Sequence, residues 1–173
     1  DLKIESDTPV NEPGDFVEGF SLWFGYGKVN AAKAVKAATP DSEITIDQLV
    51  EAGLEIPDVG SPVFSKLEVA EDGVINDIRI GIDLTHTYIG DLRIDITAPD
   101  GTAVTLHDHT GGGQDDLRTV YTVSQLPALR GFLGKRVQGT WVVRVVDTWK
   151  MDVGRLKSWR FMAKVAPDAP VTE

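Results

Sequence analysis

Five aspartates carry the strongest chemical signal in this 173-residue chain. Asp91 opens an apolar strand pattern, and Asp115-Asp116 closes the loop that holds Gly111-Gly112-Gly113. Asp147 ends a second apolar pattern, and Asp152 lies in the turn after it. Carboxylates at strand ends converge on one rim when the strands form a sandwich. Calcium suits such a rim, because it takes about six to eight oxygens from carboxylates, carbonyls and water. The three glycines would let backbone carbonyls approach an ion without side-chain interference. The expectation is a calcium site drawn from Asp91, Asp115, Asp116, Asp147 and Asp152. Their spacing follows no tight metal motif, and each is equally suited to accepting hydrogen bonds from turn amides. Both readings stand on the sequence.

Nucleophilic catalysis finds less support. A serine-nucleophile triad needs an aspartate, a histidine and a serine from separate motifs. None of the seven serines sits in a Gly-Thr-Ser or Gly-x-Ser-x-Gly setting. The three histidines, His86, His107 and His109, crowd into one region. His107 and His109 flank Asp108, which suggests either a metal site or two half-exposed loop histidines, and no His-Glu-x-x-His motif supports zinc. Catalytic residues are therefore expected to be absent from this chain. Tyr88, Tyr121 and Trp149 raise a further option, a sugar-binding platform on a carbohydrate-binding β-sandwich.

The elements that would position these groups are mostly strands. Leu92, Ile94 and Ile96 alternate with Arg93, Asp95 and Thr97, the period of a strand with one buried face. Pro99-Asp100-Gly101-Thr102 supplies a turn, and the chain returns through Val104 and Leu106 as a hairpin. Strands are also expected at Ser65–Val69, from Val74 to Leu84, at Leu117–Val123, from Trp141 to Val146 and from Trp159 to Val165. Seven or eight short strands separated by turn signals indicate an all-β sandwich. Upstream the character differs. The first 18 residues read as acidic loop, Lys28 to Ala38 as an alanine-rich helix limited by Pro40, and residues 39 to 55 as a linker. Asp47 to Ala52 is expected to make at most a short helical turn there, confined by Gly53 and Pro57.

Composition bounds the partners. A net charge of −10 opposes nucleic-acid binding, and the absence of cysteine excludes disulfides and thiolate metal sites. No stretch approaches the ~18 apolar residues of a membrane span, so no membrane partner is expected. The start at Asp1, without a signal peptide, reads as the cut end of a longer chain.

A family resemblance sharpens the fold. His86-Thr87-Tyr88, Gly90-Asp91-Leu92, Ala98-Pro99-Asp100-Gly101-Thr102, Gly111-Gly112-Gly113, Gly139-Thr140-Trp141, Val146-Asp147-Thr148, Gly154-Arg155-Leu156 and Ser158-Trp159 follow one another in order. Together they resemble the P domain (P/Homo B domain) of kexin- and furin-like proprotein convertases and their bacterial relatives, over about residues 56 to 166. Trp23-Phe24-Gly25-Tyr26-Gly27-Lys28-Val29-Asn30-Ala31, with Ala34-Val35 and Ala37-Ala38, resembles the last loop and helix of a subtilisin-like catalytic domain.

The resemblance implies a jelly-roll β-sandwich of about eight strands with a short N-terminal helix. It implies a catalytic-domain remnant at 1–40, a linker at 41–55, a P domain at 56–166 and a flexible tail at 167–173. It further implies a non-catalytic module of a secreted, calcium-dependent serine endopeptidase, with the catalytic domain of the same polypeptide as partner.

Overall fold

The computed structural model describes residues 43–167 and, before them, the backbone of three short strands. The chain divides into two compact units, Asp1–Pro40 and Asp41–Glu173. In the first, β1 (Phe16–Val17), β2 (Phe20–Ser21) and β3 (Gly25–Tyr26) pair antiparallel in that order. The expected helix over Lys28–Ala38 and the tail from residue 168 lie outside the described residues.

The described residues of the second unit hold eight strands: β4 (Ile44–Ile56), β5 (Val63–Val69), β6 (Val74–His86), β7 (Leu92–Thr97), β8 (Ala103–Asp108), β9 (Leu117–Thr122), β10 (Gly139–Asp147) and β11 (Gly154–Ala166). They form two four-stranded antiparallel sheets, β5-β10-β7-β8 and β4-β11-β6-β9. Successive strands alternate between the sheets, and only β7–β8 is a hairpin within one sheet. That order is the jelly roll, which the sequence leads one to expect. The hairpin turn closes through Ala98 N–H to Thr102 O (2.8 Å) and Gly101 N–H to Ala98 O (2.9 Å), with Gly101 at φ +85°.

Period-2 patterning explains the core. Trp141, Val143 and Val145 of β10 face Trp159, Phe161, Ala163 and Val165 of β11, all of them buried. Trp141 is the hub: its ring centroid lies 5.1 Å from Phe132 and 4.8 Å from Phe161. Both buried indoles are satisfied, Trp141 Nε1 donating to Val137 O and Trp159 Nε1 to Ser65 Oγ, each at 2.8 Å. A bulge between Leu156 and Ser158 lets Leu156 and Trp159, three positions apart, share the inner face. A register shift at Lys164/Val165 places Ile75, not Val74, fully in the core.

One expectation is overturned. Residues 44–55, expected to be linker with at most a short helical turn, belong to the 13-residue strand β4, paired along its length with β11 from Ile44↔Val165 to Gly154↔Ile56. Ile44, Ile46, Gln48, Val50, Ala52, Leu54 and Ile56 occupy alternate positions and turn towards the core, while Thr45, Asp47, Leu49, Glu51, Gly53 and Glu55 are exposed. Packing on β11 overrides the helix propensity of Gln48, Leu49, Glu51 and Ala52. The sandwich therefore begins at Ile44.

The connections β4–β5, β6–β7, β8–β9 and β10–β11 lie at one end of the sandwich. Ile44 and Ala166, where the chain enters and leaves, lie at the other, about 40 Å away along β4.

Candidate functional site

The four loops at the far end are knitted into one surface. Gly60 N–H donates to Asp147 O (2.9 Å), Thr148 N–H to Asp91 O (3.0 Å), Asp116 N–H to His86 O (2.9 Å) and His109 N–H to Leu92 O (3.0 Å). Two side-chain bonds add to these, Thr87 Oγ1 to Asp152 Oδ1 (2.5 Å) and Met151 N–H to Asp58 Oδ1 (3.2 Å). All five expected aspartates sit on this rim.

They play different parts. Asp147 is wholly buried; its Oδ1 accepts the N–H of Trp149 (3.0 Å) and its Oδ2 lies 3.2 Å from His86 Nε2, a group equally buried. His86 Nδ1 in turn meets the main chain of Tyr88, 2.9 Å from its carbonyl and 3.2 Å from its N–H. Asp116, in the left-handed region at φ +57°, directs Oδ1 to His86 N–H at 3.1 Å. That bond and its own N–H to His86 O clamp the end of β6 from both sides. Asp91 ends a single 3-10 turn, Ile89–Asp91. Its carboxyl is held above the usual range, first by partial burial and then by the negative charges of Asp147 and Asp152, with His86 and His109 pulling the other way. Asp152 receives Thr87, and Asp115 is exposed.

The glycines serve close packing. A Cβ on Gly90 would lie 2.8 Å from Gly112 Cα, one on Gly111 2.5 Å from Ile89 Cδ1, and one on Gly113 3.1 Å from the Tyr88 ring. The Gly112 and Gln114 carbonyls accept the N–H groups of Gly90 and Ile89. These loops can approach only because side chains are missing.

The donor chemistry suits a hard cation: Asp91, Asp147 and Asp152 crowd together, and among the described residues no arginine or lysine is ion-paired to them. The arrangement is looser than a chelate. Among the described residues, no three His, Asp or Glu side chains are disposed to hold one metal ion.

The histidines do not form a site of their own. His107 is buried on β8 with Nε2 2.9 Å from Ile89 O, whereas His109 is exposed and contacts Asp108 and Thr148. The aromatic platform is not assembled either. Tyr121 packs against the core, where burial pushes its hydroxyl up to about 12, while Tyr88 and Trp149 are exposed at the rim. Sequence reasoning missed the buried His86–Asp147 pair, whose members are 61 residues apart. It also missed Val59 and Met151, at φ +53° and +92° on rim loops. Only the Pro-Asp-Val-Gly turn around Val59 gave a local signal.

An eight-stranded jelly roll with one tightly braced, acidic loop rim defines a β-sandwich module. Residues 75–163, just over half of the chain, match the proprotein convertase P-domain; the chain belongs to that family. It is 37% identical over 146 residues to the calcium-dependent protease of Nostoc sp. (strain PCC 7120), an alignment covering 82% of this chain and 22% of that protein. The transglutaminase-activating metalloprotease of Streptomyces mobaraensis is 32% identical over 107 residues, 61% of this chain and 13% of that protein. The chain thus spans about a fifth or less of these relatives. Among solved structures, the Aeromonas sobria serine protease in complex with its chaperone superposes with a TM-score of 0.56 at 21% identity, over 87% of this chain and 32% of that one. This last likeness concerns the fold. Among the described residues no helix is long and apolar enough to cross a membrane.

Proposed function

We propose that this chain is the non-catalytic P domain of a secreted, calcium-dependent, subtilisin/kexin-like serine endopeptidase. It packs against the catalytic domain of the same polypeptide and stabilises or regulates it. The observation that carries the reading is the P-domain match joined to 37% identity with a protease named calcium-dependent. The Trp23-Phe24-Gly25-Tyr26 phrase and alanine-rich run upstream favour a subtilisin-like parent over a metalloprotease.

Stabilisation of this kind is linkage: surface buried only in the folded pair raises the stability of both. The module's own contribution is a rigid rim, with the His86–Asp147 pair and the Asp116 clamp fixing the ends of β6 and β10. Calcium is part of the proposal. Asp91 and Asp152, which no lysine or arginine among the described residues ion-pairs, are the first candidates to hold it, with Asp147 behind them and Asp115 and Asp116 on the adjacent loop. When bound, the ion would neutralise the crowded carboxylates.

Thermal melts of the chain with calcium, magnesium and chelator test the ion. At calcium a hundredfold above its dissociation constant, linkage adds roughly 2.7 kcal/mol, and Asp91→Asn or Asp152→Asn removes most of that gain. Magnesium, which demands a smaller octahedral site, substitutes poorly. The accessory role is tested by deleting residues 41–173 from the parent protease. Equal thermal half-lives and calcium response with and without them would refute it. Isolated chain that hydrolyses peptides and labels with a fluorophosphonate would refute the non-catalytic assignment.

A further inference from the structure

The rim also carries an apolar patch for which the sandwich itself has no use. Trp149, Met151 and Val153 on the β10–β11 loop are 66%, 91% and 65% exposed, and Val59 on the β4–β5 loop is 39% exposed. The two loops are fastened together by Met151 N–H to Asp58 Oδ1 and Gly60 N–H to Asp147 O, so the four side chains are carried by two joined loops at one end of the sandwich. The other large exposed apolar groups on the sheets, Leu49, Phe64 and Val120, lie on three different strands. Val59 and Met151 hold left-handed backbone, which a β-branched residue adopts only under constraint from its surroundings.

The charges around the patch select its partner. Away from the rim, on the sheet faces and at the opposite end, carboxylates meet cations within the domain: Asp47 with Arg160, Asp77 with Arg79, Asp83 with Arg118, Asp95 with Arg93 and Arg144, Asp100 with Lys135. At the rim, among the described residues, Asp58, Asp91 and Asp152 are ion-paired to no lysine or arginine, and the exposed Lys150 on the same loop leaves the patch net acidic. A purely apolar partner would bury these carboxylates unpaired, at considerable cost. A second copy would bring the same acidic rim, from a chain of net charge −10. A basic partner with an apolar side chain satisfies both features.

We propose that the Val59 and Trp149–Val153 loops form a docking surface for a basic protein segment in which lysine or arginine flanks a leucine or aromatic residue. The apolar residue seats among Trp149, Met151 and Val153, and in the calcium-free state the cations reach Asp58, Asp91 and Asp152. The patch lies at the opposite end of the sandwich from Ile44 and Ala166, so it does not coincide with the points where the chain enters and leaves the sandwich. The inference does not depend on the catalytic-domain role.

The test uses the full chain in low-salt buffer with chelator. The probes are three synthetic dodecapeptides: one with alternating arginine and leucine, one with glutamate in place of arginine, and one with glycine in place of leucine. Binding is read by calorimetry and by the Trp149 indole N–H resonance. Only the arginine-leucine peptide should bind and shift that resonance. Trp149→Ser with Met151→Ser should weaken it about tenfold. Asp58→Asn with Asp152→Asn should weaken it several-fold and flatten its salt dependence, while melting of the variants confirms that they are folded. Failure of that peptide to bind overturns the proposal, as does equal binding of the glutamate peptide or indifference to the Trp149 and Met151 changes. A fourth arm presents phosphatidylserine vesicles with calcium. Retention on them that is lost in the Trp149→Ser variant, without peptide binding, would identify a lipid surface as the occupant and likewise overturn it.

Discussion

Asp147→Ala is the sharpest test of how the rim is held. The side chain has no solvent exposure, accepts the Trp149 N–H at 3.0 Å, and lies 3.2 Å from a His86 ring that is equally enclosed. Alanine removes both interactions, leaving the buried His86 Nε2 without its partner and the part-buried Trp149 N–H without its acceptor. Breaking a buried pair by removing one member costs about 3–5 kcal/mol, against a domain stability on the order of 5–15 kcal/mol. The melting temperature should fall by on the order of 10–20 °C. Asp147→Asn preserves volume and the acceptor for Trp149, so its cost should stay near 1–2 kcal/mol. Urea unfolding with a fitted m-value gives the free energies. His86→Leu, alone and combined with Asp147→Ala, completes a cycle whose coupling should exceed about 1 kcal/mol. If Asp147→Ala costs less than about 1 kcal/mol at unchanged m, the buried pair does not hold the rim.

The remaining expectations concern charge and close packing. Asp91 is held above its ordinary value of 3.8, so the folded state keeps that proton to higher pH than the unfolded state. Stability is therefore lost as pH rises through the carboxylate range, and the penalty is complete at neutral pH. Asp91→Asn should melt at an equal or higher temperature at pH 7 in chelator, with the gain vanishing below the ordinary carboxylate value. Asp100 runs the other way: the Lys135 ammonium, helped by Thr102, lowers it to about 2. NMR titration should find it there, and Lys135→Met should return it towards 3.8; the stabilisation is present above that value and disappears as pH falls towards 2. Gly154→Ala should abolish cooperative folding or displace β11, because its Cβ would lie 2.4 Å from His86 Cδ2 and 2.5 Å from the Thr85 carbonyl.

Much of the fold was legible because β7, β10 from Trp141 to Val145 and β11 from Trp159 to Val165 carry strict two-residue alternation. β4 carries the same alternation, from Ile44 to Ile56, yet Gln48, Leu49, Glu51 and Ala52 also favour helix. Only its partner β11, more than a hundred residues away, decides between the two. The site was partly legible for a similar reason. Aspartates at strand ends can be read from one strand at a time, and the jelly roll delivers all five to one rim. What each does there depends on its neighbours across the rim. Asp116 takes a left-handed backbone and caps β6, and Asp147 is enclosed with His86. The triple glycine serves close approach of backbone to Ile89 and Tyr88, a need that exists only once those loops are stacked.

The placement of Ile44 and Ala166 has a mechanical consequence. Both tethers leave the domain from the same end, and the two strands they pull, β4 and β11, are antiparallel neighbours joined from Ile44↔Val165 onward. Interstrand hydrogen bonds run perpendicular to the strands, so tension between the tethers loads one pair at a time. It opens the sheet like a zip instead of shearing all the bonds together. Stretching of the polypeptide would peel β4 away first, from the Ile44 end. The braced rim, about 40 Å down the strand, would be the last part of that seam to feel the force.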